Sequence, residues 1–317
     1  MISKTCSSHN AEQPVTYLID ASVYVFRAWY TWPKGHVDKN GQPIHAVLGF
    51  MDFVYQFLLQ HKTKEMHIAF AFDESQTQSM RLKIYPDYKK NRHPTDPNLR
   101  YQFQLCRRFV RLLGIIEASS PRYEADDLVA TWTRQQVKLN RHVIILSADK
   151  DLAQLVSENV TWWEYVRNQQ FDVKAVTKKF GVQPEKIAAQ LALAGDKADN
   201  IRGVPEIGMA TAAKLLRKFG TIEQLLASID EIGKMKAKMA MRWQVAIQAH
   251  KEMIGIYYQL TCLCEHVPSL ESNLKRNPID QHCLEVFYSD LQLDELFQQH
   301  WNEATNSCEA KGLITNP

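Results

Sequence analysis

The 317-residue sequence lacks any apolar run approaching the roughly 20 residues needed to cross a bilayer; strand-like runs such as Val143-Ile144-Ile145-Leu146 are far shorter. The stretch MISKTCSSHNAEQPVT lacks the apolar centre of a signal peptide, and the expectation from it is a protein that is not exported. Internal repeats, low-complexity stretches and a Pro/Ser-rich linker are also missing. Cysteine is sparse: Cys6, Cys106, Cys262, Cys264, Cys283 and Cys308. Cys262, Cys264, His266, His282 and Cys283 could be imagined as a metal knuckle, but a C-x-C followed by a distant H-C lacks the paired spacing of structural zinc sites. Free thiols in a reducing compartment are therefore expected. With 45% hydrophobic and 23% charged residues the composition is that of a globular protein of one or two domains. It excludes a disordered tail, a collagen-like repeat and a coiled coil.

What is present is an alternation of β-rich and helical segments before residue 170. Tyr17-Leu18-Ile19 ends at Asp20, Ile68 to Phe72 ends at Asp73, and Val143 to Ala148 ends at Asp149. Gly114-Ile115-Ile116 and Val160 to Trp163 read as further strands. Apolar residues at 44, 47, 48, 51, 54, 55 and 58 have a helical period, and 105–113 and 128–139 read as helices on the same criterion. The expectation is an α/β fold, a mixed and mostly parallel sheet flanked by helices. After about residue 180 the pattern turns to helices joined by Gly-rich turns. A soft boundary is expected at 175–185, with the turn Gly203-Val204-Pro205-Glu206-Ile207-Gly208 leading into a helix from about Met209 to Lys218. Residues beyond about 303 are expected to fray.

Open α/β sheets gather functional groups at the carboxyl ends of their strands. One strand-end aspartate is as often a cap or a turn former; three of three is harder to explain that way. Glu124-Ala125-Asp126-Asp127 precedes a helix, Asp149-Lys150-Asp151 puts two carboxylates in one turn, and Asp196 and Asp199 lie three apart. These nine acids, if brought together, would repel one another unless cations neutralise them. Hard divalent ions suit such oxygen donors, and no histidine or cysteine lies in the motifs to favour zinc or copper.

The formal charge of +3, from Lys+Arg 38 and Asp+Glu 35, hides a segregation. Between Arg81 and Arg111 nine basic residues stand against two acids, +7, which leaves −4 for the remainder. Tyr85, Tyr88, Tyr101 and Phe103 are interleaved with Arg81, Lys83, Lys89, Lys90 and Arg92, a pattern that offers charge to phosphates and ring faces to unpaired bases. A second basic stretch, Lys234 to Lys251, contains no acid. The 203–208 turn aims backbone N–H groups at a helix start, an arrangement suited to anions.

Together these residues resemble a bacterial 5′ nuclease, similar to the 5′-3′ exonuclease domain of DNA polymerase I and to phage flap endonucleases. The motifs are Leu18-Ile19-Asp20 with Arg27, Phe72-Asp73, Tyr88-Lys89-Lys90-Asn91-Arg92, Glu124-Ala125-Asp126-Asp127, Ser147-Ala148-Asp149-Lys150-Asp151, and Gly195 to Pro205. They stand in family order over about residues 15–265, and with no polymerase or proofreading region after them a free-standing member is expected. The resemblance implies a nuclease core over 15–180 with a helical arch at about 80–110. It implies a helical region over 181–300 containing a helix-hairpin-helix at about 186–220, with 1–14 and 303–317 flexible. It implies Mg²⁺, with Mn²⁺ able to substitute, and K⁺ at the hairpin. Asp73, Glu124, Asp126 and Asp149 would surround the first ion, Asp151, Asp196 and Asp199 the second, with Asp20 and Asp127 in support. Lys89 and Arg92 would contact the scissile phosphate beside Asp149. Tyr88 would stack on a terminal base. Arg27, Arg81, Lys83, Lys90, Gly203, Gly208 and Lys214 would hold DNA. A monomer acting on 5′ ends and flaps, cytoplasmic and associated with the nucleoid, completes the expectation. Two hairpin departures, Glu206 in place of a glycine and Met209-Ala210 in place of Glu-Lys, predict a weaker duplex grip. A non-catalytic binder of branched DNA and a PIN-type RNA nuclease are the alternatives; a PIN domain normally has neither the 88–92 motif nor the hairpin.

Overall fold

Strands β1 (Val15–Asp20), β2 (His67–Asp73) and β4 (His142–Leu146) are apolar along nearly their whole length, the signature of parallel strands covered on both faces. The computed structural model describes residues 14–61, 66–74 and 78–293. With β3 (Ile116–Ser120), β5 (Val160–Glu164) and β6 (Gln169–Phe171) the strands form one sheet in the order β3-β2-β1-β4-β5-β6. Only the β5–β6 pairing is antiparallel. Register places Leu18 between Ala69 and Ile145. The period of two sends Ile19, Phe70 and Phe72 to one face and Leu18, Ala69 and Ile145 to the other.

The first face is covered by α1 (Ala21–Thr31), α2 (His45–Gln60), α4 (Pro97–Leu112) and α13 (Gln281–Asp290), through residues such as Phe50, Phe109 and Phe287. Helices α1 and α2 touch so closely that a Cβ at Gly49 would lie 2.8 Å from that of Ala28, which is why glycine stands there. The second face is covered by α5 (Ala125–Lys138), whose Trp132 is fully buried, and by the chain around Val267 and Leu274. From residue 173 the chain is helical: α6 (Val173–Phe180), α7 (Ile187–Ala194), α8 (Met209–Phe219), α9 (Ile222–Ala227), α10 (Ile229–Ile232), α11 (Ala240–Ala249) and α12 (Lys251–Thr261). Most of these pack in their own cluster, which reaches back to the sheet through Trp162. Among the described residues no helix is long and apolar enough to cross a membrane.

Three sequence expectations need correcting. The third strand starts at Ile116, because Gly114 is a turn residue at φ 68° whose Cβ would sit 2.1 Å from the Asn277 carbonyl oxygen. Strand β6 adds to the strands expected from the sequence, since three residues, two of them glutamines, carry no readable alternation. The span from 80 to 110 is not one arch. Helix α3 (Met80–Ile84) is short, and α4, started by Pro97 with Asp96 accepting from the Asn98 N–H at 2.8 Å, buries Cys106, Phe109 and Val110 against the core. Only the turn-rich stretch between the two, with Lys90 to Asn98 exposed, is available to arch over a substrate. The predicted flexible ends lie largely outside the described residues, as do Cys6 and Cys308.

Arg81 is a further correction. Rather than facing DNA it is buried: its guanidinium donates to Asp127 at 2.6 and 2.8 Å and to the carbonyls of Leu260 at 2.9 Å and Cys262 at 3.2 Å. It ties α3 to α5 and to the end of α12. Breaking a buried pair leaves a charge without its partner, so Arg81→Leu is expected to lower unfolding free energy by about 3–5 kcal/mol in urea titrations. The exposed Lys83→Ala should stay within about 0.5 kcal/mol. Equal losses for the two would contradict the structural role of Arg81.

Candidate metal and nucleic-acid site

The strand order reverses about β1, whose neighbours are β2 on one side and β4 on the other, and the crevice at such a switch point is where open α/β sheets bind ligands. Asp20 is the last residue of β1 and Asp73 the last of β2. Asp149 caps the 3₁₀ turn Lys150–Leu155 that follows β4, accepting from the Asp151 N–H at 2.9 Å. Glu124 caps α5, and Asp126 lies in its first turn. The fold thus brings Asp20, Asp73, Asp126 and Asp149 into one acidic bowl. Ser147, to which the sequence motif assigns no role, donates to Asp20 at 2.7 Å and accepts from the Asp149 N–H at 2.9 Å, so it orients the Asp20 carboxylate and fixes the backbone of Asp149. The Ala125 N–H likewise fixes Asp73 at 3.0 Å.

No Lys or Arg among the described residues forms an ion pair with any of these four carboxylates. Their electrostatics follow. Burial, with Asp73 and Asp149 beside it, pushes Asp20 up to about 8 against the help of Ser147. Burial and four acidic neighbours push Asp126 well above the carboxylate range, although part of its surface still meets solvent at the foot of the bowl. Asp151 rises to about 8 through burial and Asp149, and its Oδ1 has no hydrogen-bond partner. Glu124 is also raised by burial despite Lys89 and Arg81, and its Oε1 is unpartnered. Buried oxygens without donors, and acids without counter-ions, fit a hard divalent cation. Among the described residues no three His, Cys, Asp or Glu side chains close into a ready-made ligand set. The donors are better suited to a cation that keeps several waters than to a closed cage.

The second acidic group differs. Asp196 and Asp199 stand in a tight turn rather than on a helix face, with Asp196 bridged to Ile201. Lys150 donates to Asp196 at 2.5 Å and overrides burial to hold it below the ordinary range. Asp199 accepts from Tyr88 at 2.7 Å and from Arg92 at 2.8 Å. Lys89 reaches Glu124 at 2.8 Å and Asp199 at 3.7 Å. Lys89 and Arg92 therefore stand at the rim of the acids.

Two expected roles do not survive the geometry. Asp127 is fully engaged: Oδ1 accepts from Arg81 and the Cys264 N–H, Oδ2 from Arg81 and the Glu124 N–H, leaving no face for a metal. Tyr88 cannot stack on a base, because its ring is buried among Ala192, Ile201, Tyr257 and Leu260 while its hydroxyl serves Glu124 and Asp199. Of the remaining basic residues, Arg27 lies exposed on α1, Lys83 is exposed on α3, and Lys90 is exposed and paired with Asp87 at 3.0 Å. Lys214 is exposed on α8 over the Trp243 ring. In the hairpin, Gly203 is required: at φ 66° its Cβ would meet the Gly195 nitrogen at 2.3 Å. Gly208 caps α8. Glu206 takes the left-handed conformation its glycine counterpart would favour, φ 67°, and its carboxylate is bound to Arg242 of α11. The acid is thus neutralised within the chain, which nothing in the local sequence signals, since Arg242 is 36 residues away. The Cys262, Cys264 and Cys283 thiols are free.

Residues 15–181 match the model of the 5′-3′ exonuclease N-terminal resolvase-like domain, and 182–282 that of the 5′-3′ exonuclease C-terminal SAM fold. Fold and site define the class as a nuclease with an acidic centre. The chain belongs to the 5′-3′ exonuclease family. It is 32% identical over 285 residues to a 5′-3′ exonuclease of Aquifex aeolicus, covering 89% of this chain and 94% of that one. It is 37% identical over 256 residues to DNA polymerase I of Bacillus caldotenax, 79% of this chain but 28% of the relative; the chain spans a minor part of the polymerases it matches. Among solved structures, T5 5′-exonuclease with divalent zinc ions bound shares the fold at TM-score 0.62 and 18% identity, over 93% of this chain and 98% of that one. The catalytic core of Rad2 in complex with DNA substrate does so at TM-score 0.60 and 13% identity, over 96% and 93%.

The carboxylate shifts set a pH dependence for the metal-free protein. Asp20 and Asp151 titrate near 8 when folded, against about 4 when unfolded. A raised folded value favours the folded state while the group is protonated, so this stability is complete below the unfolded value and lost as pH climbs to the folded one. In EDTA the melting temperature should fall from about pH 5.5 to about pH 8.5, and the rise produced by Mg²⁺ should be larger at the upper pH, where the ligands are ionised. Calorimetric scans across that range check it. A Mg²⁺ effect indifferent to pH would contradict the acidic bowl as the site.

Proposed function

We propose that the chain is a divalent-metal-dependent, structure-specific 5′ nuclease that hydrolyses DNA at 5′ ends and flaps. The observation that carries this reading is the group of four carboxylates at the switch point, with which no Lys or Arg among the described residues forms an ion pair, next to Glu124 and Asp199 that hold Lys89 and Arg92. Asp20, Asp73, Asp126 and Asp149, with Glu124, would hold one ion; Asp151, Asp196 and Asp199 would hold a second. Bound Mg²⁺ or Mn²⁺ supplies Lewis acidity toward the phosphoryl oxygens and a water acidic enough to attack near neutral pH.

The chain's own part is to bind and orient. Ser147 sets Asp20 and Asp149 in register with each other. Lys89 and Arg92, both tied to acids in this state, exchange those acids for the scissile phosphate when DNA arrives. Arg27, Lys83 and Lys90 offer exposed charge to the 5′ strand, and the backbone N–H groups of the Gly203–Gly208 turn face the duplex at the start of α8. Lys214 lends charge at the same end, and K⁺ would take backbone carbonyl oxygens of the hairpin as its ligands. The reading includes action as a monomer in the cytoplasm on chromosomal DNA.

Cleavage of a 5′-flap duplex with Mg²⁺, and none with EDTA, is expected. Asp149→Asn should lower the cleavage rate by about 10³-fold or more while flap binding in Ca²⁺ stays within about threefold. Flap binding without cleavage in either metal would favour a non-catalytic binder, and cutting of RNA flaps in preference to matched DNA would favour an RNA nuclease.

A further inference from the structure

The two acidic groups are not equivalent in charge. Every carboxylate of the second group has a cation of this chain within ion-pair reach: Lys150 Nζ is 2.5 Å from Asp196 and 3.7 Å from Asp151, while Arg92 is 2.8 Å and Lys89 3.7 Å from Asp199. Among the described residues none of Asp20, Asp73, Asp126 and Asp149 has one. Lys89 and Arg92 are positioned to leave with the substrate phosphate. Lys150 has no such exit partner: it lies between Asp149 and Asp151 in the same turn, and its side chain is 41% exposed. It can swing to solvent without moving the backbone that carries the acids.

We propose that Lys150 is the resident counter-ion of the second acidic group, holding its place in the substrate-free protein and making the second divalent ion bind more weakly than the first. This rests on the metal-dependent reading above. An ion entering between Asp151 and Asp196 must displace an ammonium that is hydrogen-bonded to a buried carboxylate, whereas an ion entering among Asp20, Asp73, Asp126 and Asp149 meets no such ammonium, Lys89 on that side being bound to Glu124. The Asp196 Oδ1 is already held by the Ala198 N–H at 2.7 Å, so the turn is set and only Oδ2 changes partner. Binding in the two steps is therefore ordered, and the second step is open to competition from this one side chain.

Mn²⁺ isotherms of the DNA-free protein, read by calorimetry and by the paramagnetic resonance of free Mn²⁺, test this on wild type, Lys150→Met and Lys150→Arg. Wild type should show one strong and one weak step. Lys150→Met should tighten the weak step by about tenfold, the scale of one charge-assisted hydrogen bond, and move the strong one by less than about threefold. Lys150→Arg should restore the weak step. Near-ultraviolet circular dichroism confirms folding, and Lys150→Gln serves if the methionine variant fails it. A weak step unchanged in Lys150→Met, or two equal steps in wild type, overturns the role of Lys150 while leaving the functional reading intact. Absence of any Mn²⁺ binding in all variants would instead sink the functional reading.

Discussion

Unbalanced negative charge at the carboxyl edge of the sheet is the constraint around which the rest of this structure is arranged. Four carboxylates are driven together by the strand order, because β1 is flanked by β2 and β4 and their ends converge on one crevice. Ordinary folding does not favour such a cluster; burial and mutual repulsion raise Asp20, Asp126 and Asp151 together. The apolar strands beneath tolerate it because Leu18, Ile19, Phe70 and Ile145 are fully buried on both faces and hold the edge rigid. The site is thus a local cost carried by a well-packed sheet, an arrangement that suits a cation-requiring centre.

Much of this was legible in the amino-acid order. A strand that is apolar throughout and stops at an aspartate can be read directly, and three of them, with Glu124 to Asp127 at a helix start, already locate the bowl. The helix-to-hairpin change near 180 was equally plain, because short helices separated by Gly203 and Gly208 have no period-two pattern. Illegible were the features that depend on partners far away in sequence. Arg81 sits in a basic run and reads as a phosphate contact; only the fold puts it against Asp127, 46 residues on, and the carbonyl of Leu260, 179 residues on. Once that pair forms, Asp127 is lost to metal binding as surely as Arg81 is lost to DNA. A charge run gives the number of cations but not which of them are already spoken for.

The hairpin shows the same limit from the other direction. Glu206 reads locally as a liability, an acid in a turn that faces phosphate. In the fold Arg242 pairs with it, so the local charge is closer to balanced than the motif suggests. Glutamate also has to accept a left-handed backbone there, which costs a non-glycine residue of order 1 kcal/mol and is sustained by the surrounding contacts.

The same logic applies with more force at Lys89, whose φ of 53° is unusual for a long side chain. Its N–H donates to the Asp199 carbonyl at 3.0 Å, Asn91 donates to the Lys197 carbonyl at 2.8 Å, and Asn200, itself left-handed at φ 59°, returns a bond to the Asp87 carbonyl at 2.7 Å. Two turns are therefore laced together, one at the foot of the exposed 90–98 stretch and one leading into the hairpin. Each bond is modest, but together they over-determine a backbone that lysine would not choose by itself, and the outcome is an ammonium held over Glu124. The strain is confined to the point where the basic segment meets the acids, and relaxing it would swing Lys89 away from them. The position of the charge, rather than the charge itself, is what the lacing maintains.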